Sequence, residues 1–154
     1  MNIVLENSEK VACCTDMAAI FLAMDVDPRA YDWYVSDMET NATVPLLDEG
    51  DVWVTGDELG DLLGEQIQFI WGVFSAFLPG VRAAVNVAPA ADGNRNFWRP
   101  PEVSPQVPGA CFEVVCWDSS ATLLVGVSPS QAAGLLRAYP YAKPLSSSWP
   151  TEGA

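Results

Sequence analysis

Gln66-Ile67-Gln68-Phe69-Ile70-Trp71-Gly72-Val73-Phe74-Ser75-Ala76-Phe77 is the most apolar run of the chain. Its length, its β-branched and aromatic content and Gly72 favour a strand over a helix. Its near-continuous apolar character predicts burial on both faces. Pro79-Gly80 closes it. Just upstream, Thr55-Gly56-Asp57-Glu58 has the spacing of a capping box, in which the threonine hydroxyl accepts the Glu58 amide and Glu58 reaches back. The short helix that follows turns Leu59, Leu62 and Leu63 inward, stops at Gly64 and places Asp57 and Glu58 where the helix dipole favours negative charge. Val52-Trp53-Val54 is a brief extended piece. Residues 31–38 alternate as a strand, with Tyr31, Trp33 and Val35 on one face and Asp32, Tyr34 and Ser36 on the other.

Further out, residues 2–6 form a first strand. A helix is expected from a cap at Asn7 or Ser8 to about residue 24, with Val11, Cys14, Ala18, Phe21 and Leu22 as its apolar stripe. Asp25-Val26-Asp27-Pro28 ends it, because the residue before a proline is pushed out of the helical region. Residues 88–109 hold Pro89, Pro100, Pro101, Pro105 and Pro108 and form a long loop ordered by Phe97 and Trp98. Residues 110–117 and 122–127 form a hairpin turning at Asp118-Ser119-Ser120. In it, Phe112, Val114 and Cys116 share one face of the first strand, and Leu123, Val125 and Val127 share one face of the second. Ser128-Pro129-Ser130-Gln131 starts another capped helix with Leu135 and Leu136 inside. Pro140 stops it, and Tyr141 begins an edge strand. The expected architecture is an α/β (α+β) single domain over residues 1–143: a mixed, mostly antiparallel sheet with two to three helices packed against it. A flexible Ser/Pro tail over 144–154 follows.

The length of 154 residues suits one domain. There are 20 acids, 7 bases and no histidine, giving a net charge of −13. This excludes a nucleic-acid binder that works by neutralising phosphates, argues against an anionic-membrane binder, and removes every mechanism that needs an imidazole. The charge is uneven. Residues 16–65 carry thirteen acids against Arg29 alone, whereas residues 66–154 sum to zero. No apolar run approaches the ~18 residues of a membrane span, and the start lacks a cationic signal region. Cys13, Cys14, Cys111 and Cys116 form no Cys-x-x-Cys pair and read as reduced, small core residues in a cytoplasmic protein.

No catalytic residue, metal ligand or cofactor is predicted. Asp25-Val26-Asp27 lacks the glycine and closing glutamate of a calcium loop. Asp48-Glu49-Gly50-Asp51 reads as a solvated turn. No Gly-x-Ser-x-Gly elbow or phosphate-cradling loop occurs.

Three features taken together, Tyr31-Asp32-Trp33 opening a strand, Thr55-Gly56-Asp57-Glu58-Leu59 opening a short helix before an aromatic strand, and the hairpin from Phe112 to Asp118-Ser119 with its small helix and edge strand, make the chain resemble small cytoplasmic bacterial proteins grouped with polymorphic-toxin immunity proteins. The resemblance covers residues 31–141 without the proline-rich loop. It implies a protein that binds and blocks a toxin enzyme domain, with acidic side chains set against a basic active-site cleft. The candidate contact residues are Asp48, Glu49, Asp51, Asp57, Glu58 and Asp61, whose carboxylates would stand in for substrate phosphates against arginine and lysine. Trp53 is the candidate apolar anchor, and Asp32, Asp37 and Glu39 stand in reserve. Two rival readings share the composition. One is a phage-type acidic DNA mimic that inhibits a nucleic-acid enzyme, with carboxylates in rows spaced like phosphates. The other is a small metal-dependent enzyme using Asp48, Glu49 or Asp51.

Overall fold

The computed structural model describes residues 1–6, 15–98 and 103–145. The run from Phe69 to Phe77 is the strand β4, an interior strand, third from one edge of a seven-stranded sheet. In chain order the strands are β1 (Ile3–Glu6), β2 (Asp32–Thr40), β3 (Val52–Val54), β4 (Phe69–Phe77), β5 (Phe112–Trp117), β6 (Ala121–Val125) and β7 (Lys143–Pro144). They lie side by side as β3-β2-β4-β5-β6-β1-β7. The sheet is α+β in class. Where a mixed sheet was expected, every described pair is antiparallel. Short connections such as the β5–β6 turn permit this, because an antiparallel pair needs no crossover.

Registered neighbours show why β4 is apolar throughout. Phe74, Val114, Leu124 and Ile3 line up across four strands on one face. Val73, Val115, Leu123 and Val4 line up on the other. The first face packs under three helices: α1 (Met17–Ala23), α2 (Gly56–Leu63) and α3 (Pro129–Ala138). The second face is covered by the proline-rich loop, which contributes Ala91, Phe97, Trp98 and Val103. Phe97 is buried inside a single 3-10 turn at Arg95–Trp98, the ordering role expected of it.

Trp33 is the centre of the helix-side core. It is fully buried, and its ring meets those of Phe21, Tyr31 and Phe112 at centroid distances of 5.2, 5.7 and 5.8 Å. Its indole Nε1 donates to the Pro28 carbonyl at 2.9 Å. That bond fixes the 3-10 turn Pro28–Ala30, which Asp27 caps by accepting the Arg29 amide at 3.0 Å.

Both capping boxes form as read. Thr55 and Glu58 exchange hydrogen bonds of 2.9 and 3.1 Å at the start of α2, and Ser128 and Gln131 do the same at α3. Helix α1 differs from expectation. The expected cap at Asn7 or Ser8, with Val11 and Cys14, lies outside the described residues. The described helix begins at Met17, with Asp16 accepting the Ala19 amide at 3.2 Å. The buried stripe is therefore Met17, Ile20, Phe21 and Met24, and Ala18 and Leu22 face outward. Leu136, expected inside α3, is 38% exposed, because Ala132 and Leu135 already fill the face toward α1. Val127 parts from Leu123 and Val125: Gly126, at a φ of 72°, reverses the chain and sends Val127 to the helix side. Cys116 is buried as expected, but Cys111 is exposed one residue before β5 begins. Pro144, assigned above to the tail, pairs with Ile3 in β7.

Gly56 lets α2 lie directly on the backbone of the 3-10 turn. A Cβ there would sit 2.5 Å from the Tyr31 carbonyl oxygen and 2.7 Å from Arg29 backbone carbon. Helix propensity favours alanine over glycine by up to about 1 kcal/mol. Gly56→Ala is nevertheless expected to destabilise by about 1–3 kcal/mol, the range for overpacking against atoms that cannot turn aside. At Gly60 the obstacle is the flexible Arg29 side chain, so Gly60→Ala is expected to be far milder. Urea denaturation of both variants checks the contrast.

Candidate protein-binding surface

The acid-rich third of the chain builds the β3 edge of the sheet and the helical layer over it. β2 breaks its ladder with β4 between Ser36 and Glu39, and there Asp37 takes a φ of 53°. Aspartate is among the few L-residues that adopt this left-handed conformation readily. The Asp37 amide donates to Asp51 Oδ1 at 2.9 Å, and Asp37 Oδ2 accepts the Ala91 and Asp92 amides at 2.8 Å each. Asp37 thus joins the β2–β3 loop to the proline-rich loop. Within the β2–β3 loop, Asp48 Oδ1 accepts the Val44 amide at 3.2 Å. Glu49 has no partner among the described residues.

On α2, Asp57 and Asp61 stand one turn apart and grip Arg29. Its guanidinium reaches Asp61 at 2.7 Å and Asp57 at 3.4 Å, and the Asp61 hydrogen bond, then the Asp57 one, raises the Arg29 pKa above its ordinary value. Gly60 leaves room for this, since a Cβ there would stand 2.8 Å from the guanidinium carbon. The pair does not hide the acids, whose side chains stay 82% and 77% exposed.

Each of the candidate acids other than Glu49 therefore has a local task. Asp48 and Asp51 shape the loop, Glu58 caps α2, and Asp57 and Asp61 hold Arg29. A carboxylate offers about four acceptor positions, so one bond leaves most of its capacity facing solvent. Of the thirteen acids between residues 16 and 65, eleven are exposed, with Asp32 and Asp37 half-buried. At the far edge of the sheet, by contrast, Glu6 is paired with Lys143 at 2.9 Å.

Trp53 does not project as a free anchor. It is half-buried, its ring meeting Tyr34 at 5.2 Å and Phe77 at 5.0 Å, with the Arg82 guanidinium 5.2 Å from the ring centre. Arg82 Nε also donates to Asp32 Oδ2 at 3.1 Å. Aromatic packing across β3, β2 and β4 accounts for Trp53, and the base that covers it comes from the loop after β4. Burial, with the Asp51 charge second, holds the Tyr34 phenol above its ordinary pKa.

One titratable group escaped the sequence reading. Glu113 on β5 is fully buried on the loop-covered face, level with Ser75 on β4. The Gln106 amide donates to it at 2.7 Å and the Gln106 side chain at 3.3 Å. Desolvation pushes its carboxyl up to about 7, against the opposing effect of the two Gln106 bonds. Ser75 Oγ, also buried, has no hydrogen-bond partner among the described residues. The available signal was the period-2 face Glu113-Val115-Trp117, an acid in line with two apolar residues.

Among the described residues, no three carboxylates or thiols converge as metal ligands, and no helix is long and apolar enough to cross a membrane. No protein-family model, curated protein or solved structure matches this chain.

Proposed function

We propose that this chain is an immunity-type protein of the cytoplasm, which binds and neutralises a toxin enzyme domain by laying an acidic surface over its basic cleft. The carrying observation is that eleven of thirteen acids between residues 16 and 65 remain exposed, spread over α1, the 3-10 turn, the β2–β3 loop and α2. Arg29 is already paired there. Solubility does not require such crowding. A field of one sign does serve to steer an oppositely charged partner and to suppress wrong ones. The resemblance in element order narrows the partner to a toxin domain.

The test must remove charge without removing the local hydrogen bonds. Asn and Gln keep an accepting oxygen, so a variant carrying Asp48→Asn, Glu49→Gln, Asp51→Asn, Asp57→Asn and Asp61→Asn sheds five charges and preserves the bonds to the Val44 and Asp37 amides. Affinity isolation from the cell of origin is expected to recover a protein with a basic domain on the wild-type chain. Rising salt should release it, and the five-amide variant should lose it. Equal recovery on both chains, or a partner without basic character, contradicts the proposal.

A further inference from the structure

Between α1, the 3-10 turn and the C-terminal end of α2 runs an open groove of about 410 Å³. It continues past Ala18, Leu63 and Gly64 into a second hollow of about 510 Å³. Its wall is apolar: Phe21, Leu22, Val26 and Leu63. Leu22, next in the chain to the buried Phe21, is 82% exposed on this wall. Its rim is acidic. Asp25 and Asp27 border the first hollow and Asp16 and Glu65 the second, all four exposed. Among the described residues Arg29 is the one base on the lining, and Asp57 and Asp61 already hold it.

Asp25 sharpens the picture. It follows the end of α1 with a φ of 56°, a position that glycine most often fills. The chain keeps a carboxylate on the rim where glycine would relieve the backbone.

We propose that this groove receives an amphipathic helix of the protein partner, with an apolar stripe against Leu22 and Leu63 and lysine or arginine flanks against the acidic rim. This is recognition of a helix in a groove, with charge setting orientation. The inference rests on the acidic-surface reading above and names the element of the partner that docks.

The probe is a synthetic helical peptide of about four turns, leucine on one face and lysine on the other, titrated by calorimetry into the full chain. Controls replace its leucines by serine or its lysines by glutamate. The leucine–lysine peptide is expected to bind at low salt, the serine version about 10-fold or more weaker, and the glutamate version not at all. Leu22→Ser should weaken binding about 10-fold, a methylene-scale loss of contact. Asp25→Gly should raise the thermal midpoint by about 2 °C while weakening binding, a split that a purely structural Asp25 would not give. Equal binding of the serine peptide, or unchanged affinity in Leu22→Ser, overturns the groove. So does a dimer in sedimentation that Leu22→Ser dissolves, which would give the groove to a second copy. A native partner lost by the five-amide variant but retained by Leu22→Ser removes the groove and leaves the acidic-surface reading standing. A peptide that binds through Leu22, beside a native partner indifferent to the five amides, does the reverse.

Discussion

Glu113→Gln is expected to make the protein more stable at pH 8 and to abolish most of its pH dependence between about 4.5 and 7. The side chain is fully buried beneath the proline-rich loop. Its carboxyl ionises near 4.5 when exposed and at about 7 in the fold. Between those values the folded chain holds a proton that the unfolded chain has released, so stability falls as pH rises through that window. Above it, the whole difference acts against folding, on the order of 3 kcal/mol at about 1.4 kcal/mol per pH unit. Glutamine keeps the shape and still accepts the Gln106 amide. It brings an extra N–H to face the Gln106 amide group, which offsets part of the gain. The net expectation is a gain of about 1–2 kcal/mol at pH 8 and none at pH 4. Denaturant titrations of both proteins at these two pH values check it. Equal slopes against pH in wild type and variant would show that Glu113 is not the titrating group.

Trp33→Ala is expected to cost about 3–5 kcal/mol, the range for large-to-alanine changes in a packed core. Beyond the cavity, the change strands the Pro28 carbonyl that the indole N–H now satisfies. The 3-10 turn it holds carries Arg29 to Asp57 and Asp61, so the damage reaches the acidic surface. Trp33→Phe keeps much of the ring contact and loses the bond alone, and should cost about 1–3 kcal/mol. Against a typical total stability of about 5–15 kcal/mol, the alanine variant loses a large share of the folding free energy, and its urea midpoint should fall accordingly. Near-ultraviolet circular dichroism and urea midpoints separate the two. A cost below about 1 kcal/mol for alanine would contradict the placement of Trp33 at the core's centre.

The features legible in the sequence were those that a few neighbouring residues decide alone. Thr55 with Glu58 and Ser128 with Gln131 fix their helix starts through bonds that span three residues. Asp118 and Ser119 both take positive φ in the turn read there, closed by the Ser120 amide on Trp117 at 2.9 Å. The unbroken apolar run at β4 announced cover on both faces. Which segment supplied the second cover was not legible, because the proline-rich loop is tied to the sheet through contacts between residues far apart in sequence, such as Ser36 Oγ of β2 on the Pro89 carbonyl at 2.7 Å. The face of α1 differed from its reading: the described helix, capped by Asp16, buries Met17, Ile20 and Phe21 and leaves Leu22 in solvent. At the candidate surface, the clustering of acids was visible as charge along the chain. The Arg29 clamp was not, since it depends on a 28-residue separation and on the space above Gly60. Trp53 looked available because it lies beside a loop, but its fate is set by Tyr34, Phe77 and Arg82 on other segments.

The most direct measurement is the association rate of the purified chain with the basic domain proposed as its partner, taken by stopped flow from about 0.01 M to 1 M salt, over which the screening length shrinks from about 30 Å to about 3 Å. The wild-type rate should be fast at low salt and fall steeply. The five-amide variant should start about 10-fold or more slower and respond much less, the two converging at high salt. Identical rates and identical salt slopes for the two chains would show that these carboxylates do not guide the encounter.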